Sequence, residues 1–146
     1  MRFYISSGIG NQERVSELAG VLTERGHELT YDWTEHGDIR FEGERVMTEL
    51  AFTELRAVRD AELMIVLLPG GKGTHTELGL AIATRSNKRI IIWSEDGREF
   101  TDPESTCAFY FHPSTERISC PFETLKKLLD REQIGTDILS RAPEQN

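Results

Sequence analysis

The sequence predicts an α/β fold in which a parallel sheet of four or five strands is covered on both faces by helices. Three observations predict it. Short apolar runs alternate with helical stretches along the chain; two of the runs, residues 63–68 and 89–93, are apolar almost throughout; and glycine-bearing loops follow strands at residues 6–10 and 69–74. Continuous apolar runs of strand length suit strands buried on both faces. Alternation with helices implies crossover connections, and therefore parallel pairing in a three-layer α/β/α arrangement.

Each element has its own signal. Residues 2–7 read as a strand that closes in Ser6, Ser7 and Gly8, a loop signal. From 12 to 25, Val15, Leu18, Ala19 and Leu22 recur at helical spacing, and Gly26 supplies the stop. Residues 27–33 place Leu29, Tyr31 and Trp33 on one face of a second strand. Residues 35–44 are polar with two glycines, and are expected to form a lid. A second helix over 45–60 buries Met47, Leu50, Ala51, Leu55 and Val58. The strand at 63–68 runs into Pro69, Gly70 and Gly71, and a third helix covers 74–85. A strand at 89–93, a short strand at 109–111 and a helix over 121–131 complete the pattern. The tail after Leu139 shows no periodicity and is expected to be flexible. With no repeat or linker, residues 1–146 read as a single domain.

Composition narrows the function. The chain is 38% hydrophobic and 29% charged, with a net charge of -8. That balance is globular. The acidity argues against a long nucleic acid as partner, since such binding rests on a basic surface. A small anion held by backbone amides stays compatible with it. No run approaches the roughly 18 apolar residues of a membrane span. Met1 leads almost directly into Phe3, Tyr4 and Ile5, which does not read as a signal peptide. Cys107 and Cys120 form neither a disulfide framework nor a zinc pattern. A cytoplasmic protein with no metal, no cofactor and no membrane partner is expected.

For such a chain the flavodoxin-like strand order 2-1-3-4-5 is the natural expectation. Its topological switch lies between the first and third strands, and ligands bind beyond their carboxyl ends. Ser7 and Gly8 stand at one end; Gly70, Gly71, Gly73 and Thr74 stand at the other. Glycines there let backbone amides approach a phosphate or a sugar hydroxyl, and the following helix adds its positive end. The loop is neither a P-loop nor a dinucleotide fingerprint: Gly73 follows Lys72 where Ser or Thr is needed, and Thr76 occupies a required glycine position.

Two acids bear on this crevice. Thr74 and Glu77 match a capping box, in which both side chains serve helix N-terminal amides. The switch-point location offers another reading, with Glu77 in the first turn as a reactive carboxylate kept ionised by helix amides. Glu54 falls within the apolar stripe of the second helix, where an acid is either paired or functional. Partial burial raises its pKa and suits it to protonate a leaving group. Two carboxylates in different environments are what glycosyl transfer uses, one attacking the anomeric carbon and one handling the leaving group's proton. His75, alone in the first helical turn, reads as solvent-facing. Trp33 and Tyr31 are expected to wall a base pocket under the 35–44 lid.

These residues carry a family resemblance. The stretch from Asp60 to Leu68, then Pro69 to Thr76, then Glu77-Leu78-Gly79-Leu80-Ala81, resembles the nucleoside 2-deoxyribosyltransferase-like family. The opening Phe3-Tyr4-Ile5-Ser6-Ser7-Gly8 is similar to that family's first strand and loop. The resemblance implies Glu77 as the nucleophile, Glu54 as the acid before the third strand, Tyr4, Ser7 and Gly8 in substrate binding, and a homodimer or larger assembly. It implies a nucleoside or nucleotide substrate whose N-glycosidic bond is exchanged or hydrolysed. Gly71 stands where the transferases carry an aspartate and some monophosphate hydrolases a serine. Residues 69–77 also fit the Pro-Gly-Gly-x-Gly-Thr-x-x-Glu pattern of the Lonely Guy family of nucleotide phosphoribohydrolases, which ranks second. A non-catalytic nucleotide-binding module of the same fold is the competing class.

Overall fold

The computed structural model describes residues 1–84 and 87–131. The expectation about the tail after Leu139 lies outside them. Five parallel strands, β1 (Arg2–Ser7), β2 (Glu28–Leu29), β3 (Leu63–Leu67), β4 (Arg89–Ser94) and β5 (Thr115–Ser119), form one sheet in the order β2-β1-β3-β4-β5. This is the flavodoxin-like order. The helices are α1 (Gln12–Glu24), α2 (Glu44–Asp60), α3 (Lys72–Thr84), the single turn α4 (Arg98–Thr101) and α5 (Phe122–Asp130). Among the described residues no helix is long and apolar enough to cross a membrane.

Period-two alternation sorts the core into two layers. Phe3, Ile5, Leu63, Ile65, Leu67, Ile91 and Trp93 pack against α1 and α5. Tyr4, Met64, Val66, Ile90 and Ile92 pack on the other face, against Ala57 and Val58 of α2 and Leu78 and Ala81 of α3. Both faces of β3 are buried, so its five residues are apolar without interruption.

Three elements differ from the sequence reading. The strand expected over 27–33 is only Glu28–Leu29. Beyond it, Asp32 accepts hydrogen bonds from the Thr34 amide and hydroxyl and turns the chain into a 3₁₀ turn at Trp33–Glu35. The Trp33 indole N–H donates to the Ile5 carbonyl at 2.8 Å, so a side chain replaces the ladder there. The strand expected at 109–111 is a 3₁₀ turn, Ala108–Phe111, and the real edge strand follows it at β5. On α2 the inward stripe is Val46, Leu50, Thr53, Glu54, Ala57 and Val58. Met47 and Leu55, expected inside, are 39% and 44% exposed, and Ala51 is exposed as well. The helix carries two apolar faces, and the hydrophobic pattern alone averages them.

Candidate active site

The site is built where β1 and β3 end. Ser7 donates to the Leu67 carbonyl at 2.6 Å and accepts from Asn11 at 3.0 Å, tying the two strand ends together. Gly8 then passes under the next loop: its N–H donates to the Pro69 carbonyl, and a Cβ there would lie 3.1 Å from that oxygen. A Cβ on Gly70 would meet the Thr74 side chain at 2.4–2.8 Å, so this position excludes any other residue unless the turn opens.

The capping-box reading of Thr74 and Glu77 does not hold. The helix begins at Lys72, two residues earlier than expected, and buried Thr74 accepts the Gly71 N–H at 3.2 Å. Thr74 thus serves the residue just before the helix, and Glu77 is left in the second turn, not the first. Its carboxylate turns away from the helix end, toward β1. Oε1 accepts the Ser6 hydroxyl at 3.1 Å. Oε2 is sealed from solvent and has no hydrogen-bond partner.

The Tyr4 hydroxyl, on the same face of β1, is also buried without a partner. It lies near Glu77, and the two groups perturb each other electrostatically. Burial pushes the Glu77 carboxyl up to about 8; the Tyr4 hydroxyl opposes this, the charge of Glu54 adds to it and the Ser6 hydroxyl opposes it. The expectation that helix amides keep Glu77 ionised is therefore corrected, because the carboxylate faces the strands and desolvation dominates. Tyr4 is raised by burial and then by Glu77.

Glu54 lies on the inward stripe of α2, close enough to influence Tyr4, Glu77 and Tyr31. Burial raises its pKa, and nearby His36 opposes the shift. Tyr31 stacks on His36 with ring centroids 5.9 Å apart and planes 28° apart. Trp33, half-buried, closes the same side through its bond to Ile5. Gly71, Gly73 and Lys72 are exposed at the start of α3, and a Cβ on Gly73 would lie 4.0 Å from Glu77 Oε1.

The structure thus brings Glu77, Tyr4 and Glu54 together, with the glycine loop above them. Ser7 and Gly8 shape the loop, while the hydroxyl facing Glu77 belongs to Ser6. Sequence reasoning missed Ser6, although its position two residues after Tyr4 puts both on one face. His75, expected to face solvent, is half-buried with both ring nitrogens engaged.

No protein-family model matches the chain, and no curated protein does. Among solved structures, the fold is similar to that of a CMP N-glycosidase of Clostridium botulinum, BcmB, with a TM-score of 0.63 and 18% sequence identity. The match covers 90% of this chain and all of that one. At this identity the likeness establishes a common fold.

Proposed function

We propose that this crevice cleaves the N-glycosidic bond of a nucleoside or nucleoside 5'-monophosphate, with Glu77 as nucleophile. The observation that carries the reading is the Glu77 carboxyl itself: one oxygen is held by Ser6 and lies 4.0 Å from where a Cβ on Gly73 of the glycine loop would stand, and the other is buried and unpartnered. The likeness to a CMP N-glycosidase supports the substrate class.

The chemistry follows from two acids in different settings. Glu77 in its ionised form attacks the anomeric carbon through Oε2, forming a C–O bond while the C–N bond breaks and its electron pair leaves with the base. Glu54, whose carboxyl burial shifts toward the protonated form, supplies the proton that the departing base needs. Water then attacks the same carbon and returns the Glu77 carboxylate, while its proton passes to Glu54. A poorly solvated carboxylate is a reactive one, and positive charge developing on the sugar stabilises its ionised form. A second base in place of water gives exchange.

A homodimer is part of the proposal. Met47, Phe52 and Leu55 expose apolar side chains along α2, with Phe52 63% exposed. We place the reaction in the cytoplasm.

Incubation with ribo- and deoxyribonucleosides and their 5'-monophosphates, followed by chromatography of free base, tests the reading. Base release is expected. Glu77→Gln should retain fold and binding yet lose at least about 10³-fold in turnover, roughly 4 kcal/mol of barrier. Ligand binding without base release from any substrate would favour a non-catalytic module, and a Gln variant of near wild-type rate would remove Glu77 from the chemistry. Release from ribonucleoside monophosphates alone would favour a phosphoribohydrolase of the Lonely Guy type over a deoxyribosyltransferase.

A further inference from the structure

Strand β1 carries a hydroxyl that the core around it does not need. Ser6 is 1% exposed and stands opposite Val66 in the parallel register with β3. That face of the sheet also buries Tyr4, Met64, Val66, Ile90 and Ile92. A small apolar side chain suits such a place, and a buried hydroxyl is costly there unless it finds a partner. Ser6 finds one in Glu77 of α3, donating to Oε1 at 3.1 Å. The hydroxyl therefore answers to the carboxyl and not to the packing.

Where this bond lands makes the two carboxyl oxygens unequal. Oε1 receives the Ser6 hydrogen, while Oε2 is buried with no hydrogen-bond partner. A hydrogen bond to an ionised oxygen is roughly twice as strong as one to a neutral oxygen. Ser6 thus favours the carboxylate over both neutral forms of Glu77, the acid and an ester. Tyr4 of β1 and Glu54 of α2 are the other titratable groups that bear on this carboxyl, and His36 bears on Glu54.

We propose that Ser6 is a positioning residue that reserves Oε2 for the bond to the sugar and speeds the release of that bond. The inference rests on the proposed function for the sugar ester, and adds the step at which Ser6 acts. When Oε2 joins the anomeric carbon, Oε1 becomes the ester carbonyl and its hydrogen bond from Ser6 weakens. When water attacks, its oxygen bonds to that carbon as the Oε2–carbon bond breaks, and the electron pair returns to the carboxylate. The water's proton passes to Glu54. Negative charge spreads back onto Oε1, where the Ser6 hydroxyl meets it. The same bond restrains the first attack, so Ser6 trades a slower start for a faster release.

Two variants of the intact protein test this. Ser6→Ala removes the hydroxyl, and Ser6→Cys fills the site with a weaker donor. Carbon NMR follows the titration of the Glu77 carboxyl, assigned by its loss in Glu77→Gln. The proton affinity of Glu77 is expected to rise about tenfold in Ser6→Ala and by less in Ser6→Cys. Kinetics on nucleosides and 5'-monophosphates are then compared above that titration. In Ser6→Ala kcat should fall about tenfold more than kcat/KM, with the sugar retained on the protein in intact-mass spectra. Base release by the wild type with an unchanged Glu77 titration, or with equal loss in kcat and kcat/KM, overturns the role of Ser6 alone. Absence of base release by the wild type from every substrate defeats the proposed function, and this step with it.

Discussion

Glu77 and Glu54 occupy positions where a carboxylate is disfavoured, and this burdens the folded protein in a measurable direction. The folded Glu77 carboxyl, near 8, holds a proton that the unfolded chain releases near its ordinary value of 4.5. Between those values the folded state binds more protons than the unfolded one, so stability falls as pH rises and is greatest below about 4.5 for this group. Glu77→Gln removes that dependence. Its stability should exceed that of the wild type increasingly from pH 5 to pH 8.5, by an amount on the order of 4 kcal/mol at the upper end. Urea unfolding of both proteins at the two pH values checks this, and a constant gap would mean that Glu77 titrates normally. If the ionised carboxylate is the nucleophile, kcat/KM rises with pH toward about 8 over the range in which the protein loses stability. Glu54→Gln should slow substrates with poor leaving bases far more than activated nucleosides. Equal loss on both would make Glu54 structural. Both acids were legible in the sequence, one from its place after the glycine loop and one from its place on an apolar stripe. Their environments were not: whether Glu77 faces helix amides or strand hydroxyls depends on where α3 starts, and two residues of error reverse the sign of its shift.

At the scale of elements, strongly patterned segments were readable and weakly patterned ones were not. The uninterrupted apolar runs of β3 and β4 admit one interpretation in an α/β chain, as does the Val15, Leu18, Ala19, Leu22 spacing of α1. β5 was hidden because an edge strand buries one face and needs little apolar content; of Thr115–Ser119 only Ile118 packs on the core. β2 was overextended because Leu29, Tyr31 and Trp33 alternate as strand residues do. What stops the strand is local: the Asp32 side chain competes for backbone amides, and the indole N–H of Trp33 takes the Ile5 carbonyl. The hydrogen bond between Tyr110 and His75 spans 35 residues of sequence, and no periodicity reports a contact of that kind.

At the scale of the whole molecule, the exposed face of α2 bears on assembly. Met47, Phe52 and Leu55 are exposed along that helix, and Phe41 nearby in sequence is 90% exposed. Covering a large apolar side chain contributes about 1.5–3 kcal/mol. Phe52→Glu should therefore weaken dimerisation by at least about tenfold without lowering the stability of the single subunit. Sedimentation of wild type and variant across micromolar concentrations checks this; a wild type that stays a 16.6 kDa species throughout would refute the dimer. The chain's two tryptophans divide the molecule in another way. Trp93 is fully enclosed beside Phe122, in the layer remote from Glu77, whereas Trp33 is half-buried with its indole N–H on the Ile5 carbonyl of β1. They are two lamps in two rooms. Ultraviolet emission from Trp33 should respond when a nucleobase arrives, and that from Trp93 should hold until the layers come apart, so occupancy and unfolding can be followed in the same cuvette without a label.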